Sequence, residues 1–230
     1  MSIEQKLLIS ILKLTTGGSV SHELINKDAN APSQTTKKLL EELQNNGLIY
    51  LRGSHVEIDA LQRVKLAVRA IELGADLEGV SGFLEWREFE SIAAIASERN
   101  GYSVTRNLRF KHKGRGWEID VIACKKPLAL CMDCKHWHHG MHPSNLKKVA
   151  EEQVERTKAL ADSLPNPKIR INCVSWGTIV FIPAILSLVI PRFKFHENVP
   201  IAPILQLQDF LNQLPAYANT LKHFQKRLTY

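Results

Sequence analysis

The sequence predicts an α/β (α+β) chain: a small, mostly helical N-terminal unit, then a larger unit in which a mixed sheet is flanked by helices. Three observations predict this. Apolar residues recur at helical spacing through most of residues 1 to about 75. The stretch 75–82 (ADLEGVSG) then loses that periodicity and carries two glycines, which places the expected units at 1–76 and 77–230. Beyond it come a helix, a three-strand meander, a second helix and more strands, the order of a sheet with helices packed on it.

In the N-terminal unit, Ile3, Leu7, Leu8, Ile11 and Leu12 define a first helix, which stops at Gly17-Gly18. Residues 21–26 (SHELIN) suggest a short second helix. A third runs through SQTTKKLLEELQNN, with Ser33 as its expected N-cap and Gly47 as its left-handed stop. The β-prone segments 48–51 and 55–58 flank Arg52-Gly53-Ser54, a tight-turn sequence. Asp59 is placed to cap a fourth helix that ends at Gly74. Three helices followed by a hairpin is an element order that resembles a winged helix.

In the larger unit, residues 83–99 read as a helix with Phe89, Ile92, Ala93 and Ala96 on one face. Strands are expected at 103–110, 117–124 and 127–135, with a basic loop (KHKGRG) between the first two. A helix over 144–164, strands over 169–176, 178–190 and about 200–204, and two closing helices complete the expectation. The apolar stretch 178–190 spans 13 residues and contains Pro183; a membrane-spanning helix needs roughly twenty, so it is expected to be a buried strand. The N-terminal MSIEQKLLISILKL carries Glu4 and no small-residue cleavage site, so it reads as an amphipathic helix and not a leader. A cytoplasmic protein without a membrane anchor is the expectation.

The chain holds 30 Lys and Arg against 23 Asp and Glu, a formal charge of +7, which favours a polyanionic partner. Four cysteines in 230 residues do not suggest a disulfide scaffold. Cys131 and Cys134 have the spacing of a zinc pair, but residues three apart in a strand face opposite ways, so buried small apolar side chains are expected.

The chemistry concentrates in WEIDVIAC and ALCMDCK. Alternation along a strand sends Asp133 and Lys135 to one face and Cys134 to the other, and a hairpin brings Asp120 beside them. Two carboxylates and an ammonium at one strand end suit Mg²⁺, which takes oxygen ligands and keeps several waters. The arrangement resembles the PD-(D/E)xK (restriction-endonuclease-like) nuclease superfamily, whose signature is an acidic residue on one strand and Asp or Glu, any residue, then Lys on the next. Glu90, eleven positions before Gly101-Tyr102, extends the likeness toward Holliday-junction resolvases and Mrr-like restriction enzymes. The family's usual Pro before the first Asp is replaced here by Ile119.

The resemblance implies a restriction-endonuclease-like mixed sheet and a metal-dependent DNA endonuclease acting in repair, recombination or restriction. Glu90, Asp120 and Asp133, with the Cys134 carbonyl, would hold Mg²⁺ (Mn²⁺ substituting), and Lys135 would act on the attacking water. Glu88 and Glu118 rank below these as substitutes. Gln153 matches a supporting position in some relatives, and a homodimer follows from the same analogy. Arg106, Arg109, Lys111, Lys113 and Arg115 are candidates to track the DNA backbone. Gln34, Thr35, Lys37 and Lys38 would face a groove from the third helix. The His-rich stretch 136–142 would flank the cleft. The competing reading is a catalytically inactive DNA-binding regulator or repair-complex subunit that uses the nuclease fold as a scaffold.

Overall fold

A computed structural model describes residues 1–134, 143–188 and 190–228. Its contacts divide the chain into two compact units, one from Met1 to Phe89 and one beginning at Glu90.

The first unit contains α1 (Ile3–Leu14), β1 (Val20–Ser21), α2 (His22–Ala29), α3 (Ser33–Asn45), β2 (Tyr50–Arg52), β3 (His55–Glu57), α4 (Ala60–Glu72) and α5 (Leu77–Ser81). The three strands form an antiparallel sheet in the order β1-β3-β2. Ser2 and Asp59 close reciprocal capping boxes with Gln5 and Gln62 at the starts of α1 and α4. Ser33 is the first residue of α3 and not its cap: Pro32 holds the cap position without a side-chain bond, and the Ser33 hydroxyl accepts from the Asn26 amide at 2.9 Å. Residues 75–82, where the apolar periodicity lapses, include the one-turn helix α5.

An arginine organises this unit. Arg63 on α4 is 5% exposed and donates to the Leu12 carbonyl at 3.1 Å, to the Thr15 hydroxyl at 2.8 Å and to the Phe83 carbonyl. Its Nε lies 2.6 Å from the Glu88 carboxylate. Glu88 is therefore held in a largely buried ion pair. Burial raises the Glu88 pKa, against the lowering influence of the Glu85 N–H and of Arg63.

The second unit starts within α6 (Trp86–Arg99) and continues through β4 (Ser103–His112), β5 (Arg115–Lys125), β6 (Leu128–Cys134), α7 (Pro143–Asp162), β7 (Thr178–Ser187), β8 (Phe195–His196), β9 (Val199–Pro203), α8 (Leu207–Tyr217) and β10 (Phe224–Arg227). These strands make a seven-stranded mixed sheet in the order β4-β5-β6-β7-β9-β8, with β10 also on β7. The meander β4-β5-β6 is antiparallel, whereas β6-β7 and β7-β9 are parallel. The sheet flanked by helices is the expected α+β architecture.

Three expectations are corrected. The basic stretch KHKGRG is not a loop: β4 and β5 run through it to a two-residue turn at Lys113 (φ 50) and Gly114 (φ 79), the two positive φ values that suit a hairpin's twist. Residues 169–176 are not a strand. Ile169, Ile171 and Cys173 are buried in alternation, but their backbone closes local turns, Ile169 N–H to Asn166 and Val174 N–H to Ile171. The ladder position beside β7 is taken instead by β10, where a closing helix was expected; Phe224 to Arg227 pair with Phe181 to Thr178.

Pro183 sits in β7, the central strand, where a missing N–H would ordinarily break a ladder. β10 pairs with Thr178–Phe181 and β9 with Ile185–Ser187, so one edge of β7 is unpaired at residue 183. The Val180 N–H points toward β6, donating to Pro127, and alternation turns position 183 the other way, into that gap.

Truncating Arg63 should strand a buried carboxylate. We expect Arg63→Ala to lower unfolding free energy by about 3 kcal/mol at neutral pH, read by urea denaturation. With the cation gone, the folded-state pKa of Glu88 rises further above its unfolded value. Stability is then present below the unfolded pKa and lost as pH rises through the folded one, so the penalty should shrink on acidification. A penalty independent of pH would show that Glu88 is not the stranded group.

Candidate active site

Every residue of β6, LALCMDC, is buried. A strand covered on both faces loses polar alternation and reads as a continuous apolar run, which makes an aspartate in it costly unless it is compensated. Asp133 is 1% exposed. Its Oδ1 lies 2.6 Å from Nη1 of Arg156 on α7, and Arg156 also reaches Glu152 at 3.5 Å.

Asp120 comes from β5. The β5-β6 ladder pairs Val121 with Met132 and Ile122 with Cys131, so continuing the register by one residue sets position 120 opposite 133. Opposed residues of an antiparallel pair share a face. The Asp120 Oδ2 accepts the Cys134 N–H at 2.8 Å; its carboxylate therefore lies against the peptide that follows Asp133. Asp120 itself is 8% exposed.

β5 also breaks its alternation here. Trp117 and Ile119 pack into the same core cluster as Ile122 and Cys124, which strict alternation forbids. Opposite the break, Asn107 on β4 takes φ 51, and the ladder skips the 107–120 pair between Arg106–Val121 and Leu108–Ile119.

Gln153, one turn before Arg156 on α7, is 1% exposed and donates to the Cys131 carbonyl at 2.7 Å. This ties α7 to β6 two residues before Asp133. Glu90, on α6, is 7% exposed. Cys134 is fully buried, as is Cys131, whose thiol is pushed up by burial; both are apolar filling. Lys135 and the stretch 136–142 lie outside the described residues. Among the described residues no three His, Cys, Asp or Glu side chains gather as a metal cluster.

The basic candidates divide into two kinds. Arg109 pairs with Glu118 at 3.1 Å, and Arg115 reaches Glu155 at 3.4 Å and stacks 3.9 Å from the Trp117 ring centre. Arg106, Lys111 and Lys113 are exposed, as are Gln34, Lys37 and Lys38 on α3, whereas Thr35 is half-buried. Sequence reasoning missed Arg156. The available signal was electrostatic: a carboxylate in an apolar strand demands a cation, and Arg156 is one helical turn from Gln153.

No family model matches the chain. An uncharacterized protein of Archaeoglobus fulgidus is 27% identical over 135 residues, covering 58% of this chain and 95% of that protein. Among solved structures, protein VC1899 from Vibrio cholerae gives a TM-score of 0.36 at 14% identity, over 94% of this chain and 51% of that one. The restriction endonuclease FokI bound to DNA gives 0.28 at 14% identity, over 93% and 44%. The chain thus spans about half the length of these two structures, and its likeness to a restriction endonuclease is weak. Among the described residues no helix is long and apolar enough to cross a membrane.

Removing Arg156 should cost more than its partial exposure suggests. Arg156→Gln is expected to destabilise the protein by about 3 kcal/mol, with Asp133→Asn in the same chain restoring 1 kcal/mol or more of that (roughly, from the coupling of contacting pairs). Chemical denaturation of the two single variants and the double variant measures the coupling; additive losses would mean the pair is not energetically linked.

Proposed function

We propose that the chain is a divalent-metal-dependent deoxyribonuclease whose centre is Asp120 and Asp133, assisted by Glu90 and Lys135. The hydrogen bond from the Cys134 N–H to Asp120 carries the reading, because it brings the Asp120 carboxylate against the peptide that follows Asp133. Mg²⁺ needs only one or two protein carboxylates, its other positions being filled by water and phosphate, so this pair fits the ion without a third clustered ligand. Asp120 and Asp133 would hold it, with the Cys134 carbonyl, and Glu90 would reach it through water. When bound, Mg²⁺ supplies Lewis-acid polarisation of the scissile phosphate.

The chain's own residues supply the rest. Gln153 fixes β6 against α7 and so holds Asp133 in place. Lys135 would orient the attacking water and stabilise the charge that develops on phosphorus. DNA is favoured as the polyanion by the +7 charge and by the winged-helix order of the N-terminal unit, in which α3 would present Gln34, Thr35, Lys37 and Lys38. A homodimer would provide two centres for duplex cleavage.

One observation favours the rival scaffold reading: Arg156 already neutralises Asp133 without a metal. The two readings separate in one assay. We expect Mg²⁺- or Mn²⁺-dependent nicking of plasmid DNA, loss of nicking in Asp120→Asn and Asp133→Asn, and a loss on the order of 10²–10³ in rate for Lys135→Ala. Mg²⁺ at a hundred times its dissociation constant should stabilise the wild type by about 2.7 kcal/mol, and Asp133→Asn should lose that stabilisation. DNA binding without cleavage or metal stabilisation would establish the scaffold.

A further inference from the structure

The β4-β5 hairpin and the turn after α7 flank an open cavity of about 760 Å³, within the range that accommodates a small organic ligand. Its floor is apolar: Phe110 is 7% exposed, Ile169 is 4% exposed, and Trp117 is half-buried beside them. Its rim is cationic. Arg109, Lys111 and Lys168 stand against the single carboxylate of Glu118. That carboxylate is taken by Arg109 at 3.1 Å, and neither lysine pairs with a carboxylate among the described residues.

The indole already has a stacking partner. The Arg115 guanidinium, which is no part of the cavity wall, stacks 3.9 Å from its centre and is itself anchored to Glu155 at 3.4 Å. An aromatic wall stacked by a guanidinium, with an apolar floor and two lysines without carboxylate partners in the lining, matches a ligand with a planar ring and an anionic group a few bonds away. A purely apolar ligand would leave the lysines unused, and an acidic peptide would leave the indole unused. Stacking on an aromatic ring beside a basic track is how single strands are bound without sequence reading.

We propose that this cavity takes one unpaired nucleotide of a DNA strand, its base against Trp117 and its phosphate against Lys111 and Lys168. Trp117 precedes Asp120 by three residues on β5, which puts the cavity about 10 Å along the strand from that aspartate. The site does not depend on the hydrolase reading, because binding in it needs no metal.

The test uses the full chain in EDTA with a fluorescein-labelled single-stranded oligonucleotide, a blunt duplex and the mononucleotide dTMP, read by anisotropy and competition. Trp117→Ala should weaken the single strand about tenfold and leave the duplex within about twofold, with Trp117→Phe recovering most of the loss. Lys168→Ala should reduce the salt slope of single-strand binding by about 0.7. Competition by dTMP would place a free nucleotide in the cavity, whereas competition by the oligonucleotide alone would show that the flanking strand is needed; both support the site. Equal losses for duplex and single strand, no loss, or competition by poly-glutamate would overturn it. Nicking by a wild type that fails to bind single strands rejects the cavity and keeps the nuclease; binding without nicking does the reverse.

Discussion

An aspartate almost fully removed from water inside an apolar strand must be compensated, and the second unit is arranged around that requirement. Asp133 is met by Arg156 from α7, and α7 is set on the sheet by the Gln153 amide at the Cys131 carbonyl and by Ala159, Leu160 and Ala161 in the shared core. Removing one partner of such a pair is far more damaging than replacing both with apolar groups. An apolar pair of the same volume would therefore serve the fold as well. Retaining a buried aspartate opposite a second one is the feature that a purely structural account leaves without a purpose.

The second aspartate is reached through a local irregularity. A regular β5 would send Ile119 and Ile122 to opposite faces, yet both enter one core. The break coincides with Asn107 in a left-handed conformation and with the skipped ladder pair opposite Asp120. Asparagine tolerates that region because its short side chain can bond locally. Irregularities of this kind change side-chain direction while the ladder resumes on either side, and the one here falls at the residue whose carboxylate takes the Cys134 N–H.

Much of this was legible. The helices of the N-terminal unit follow from apolar spacing and capping residues, and the three-strand meander follows from β-prone runs between turn residues. The pairing of positions 120 and 133 follows from hairpin length. The failures share a cause. Residues 169–176 alternate as a strand does, but their hydrogen bonds are spent in local turns. Residues 224–227 show little pattern and become a strand because β7 offers an open edge there. Arg156 is invisible to periodicity since it lies at the shoulder of α7, half-exposed. Each outcome depends on which partner reaches an edge or a charge first, and a single strand's pattern does not carry that information.

The basic residues before Asp120 illustrate how structure divides a feature that sequence presents as one. As a loop they would form an undifferentiated electrostatic track. On a hairpin, the residue opposite sorts them: Arg109 is taken by Glu118 across the ladder, Arg115 is taken by Trp117 and Glu155, and Lys111, opposite Gly116, is left in the lining of a cavity that α7's following turn completes with Lys168. The two arginines are thus already paired, while the lysines keep their charge available. That division suits their chemistry, since a guanidinium stacks and forks where an ammonium acts as a mobile point charge. The strand that carries Asp120 therefore also carries, three residues earlier, the aromatic ring on which Arg115 stacks.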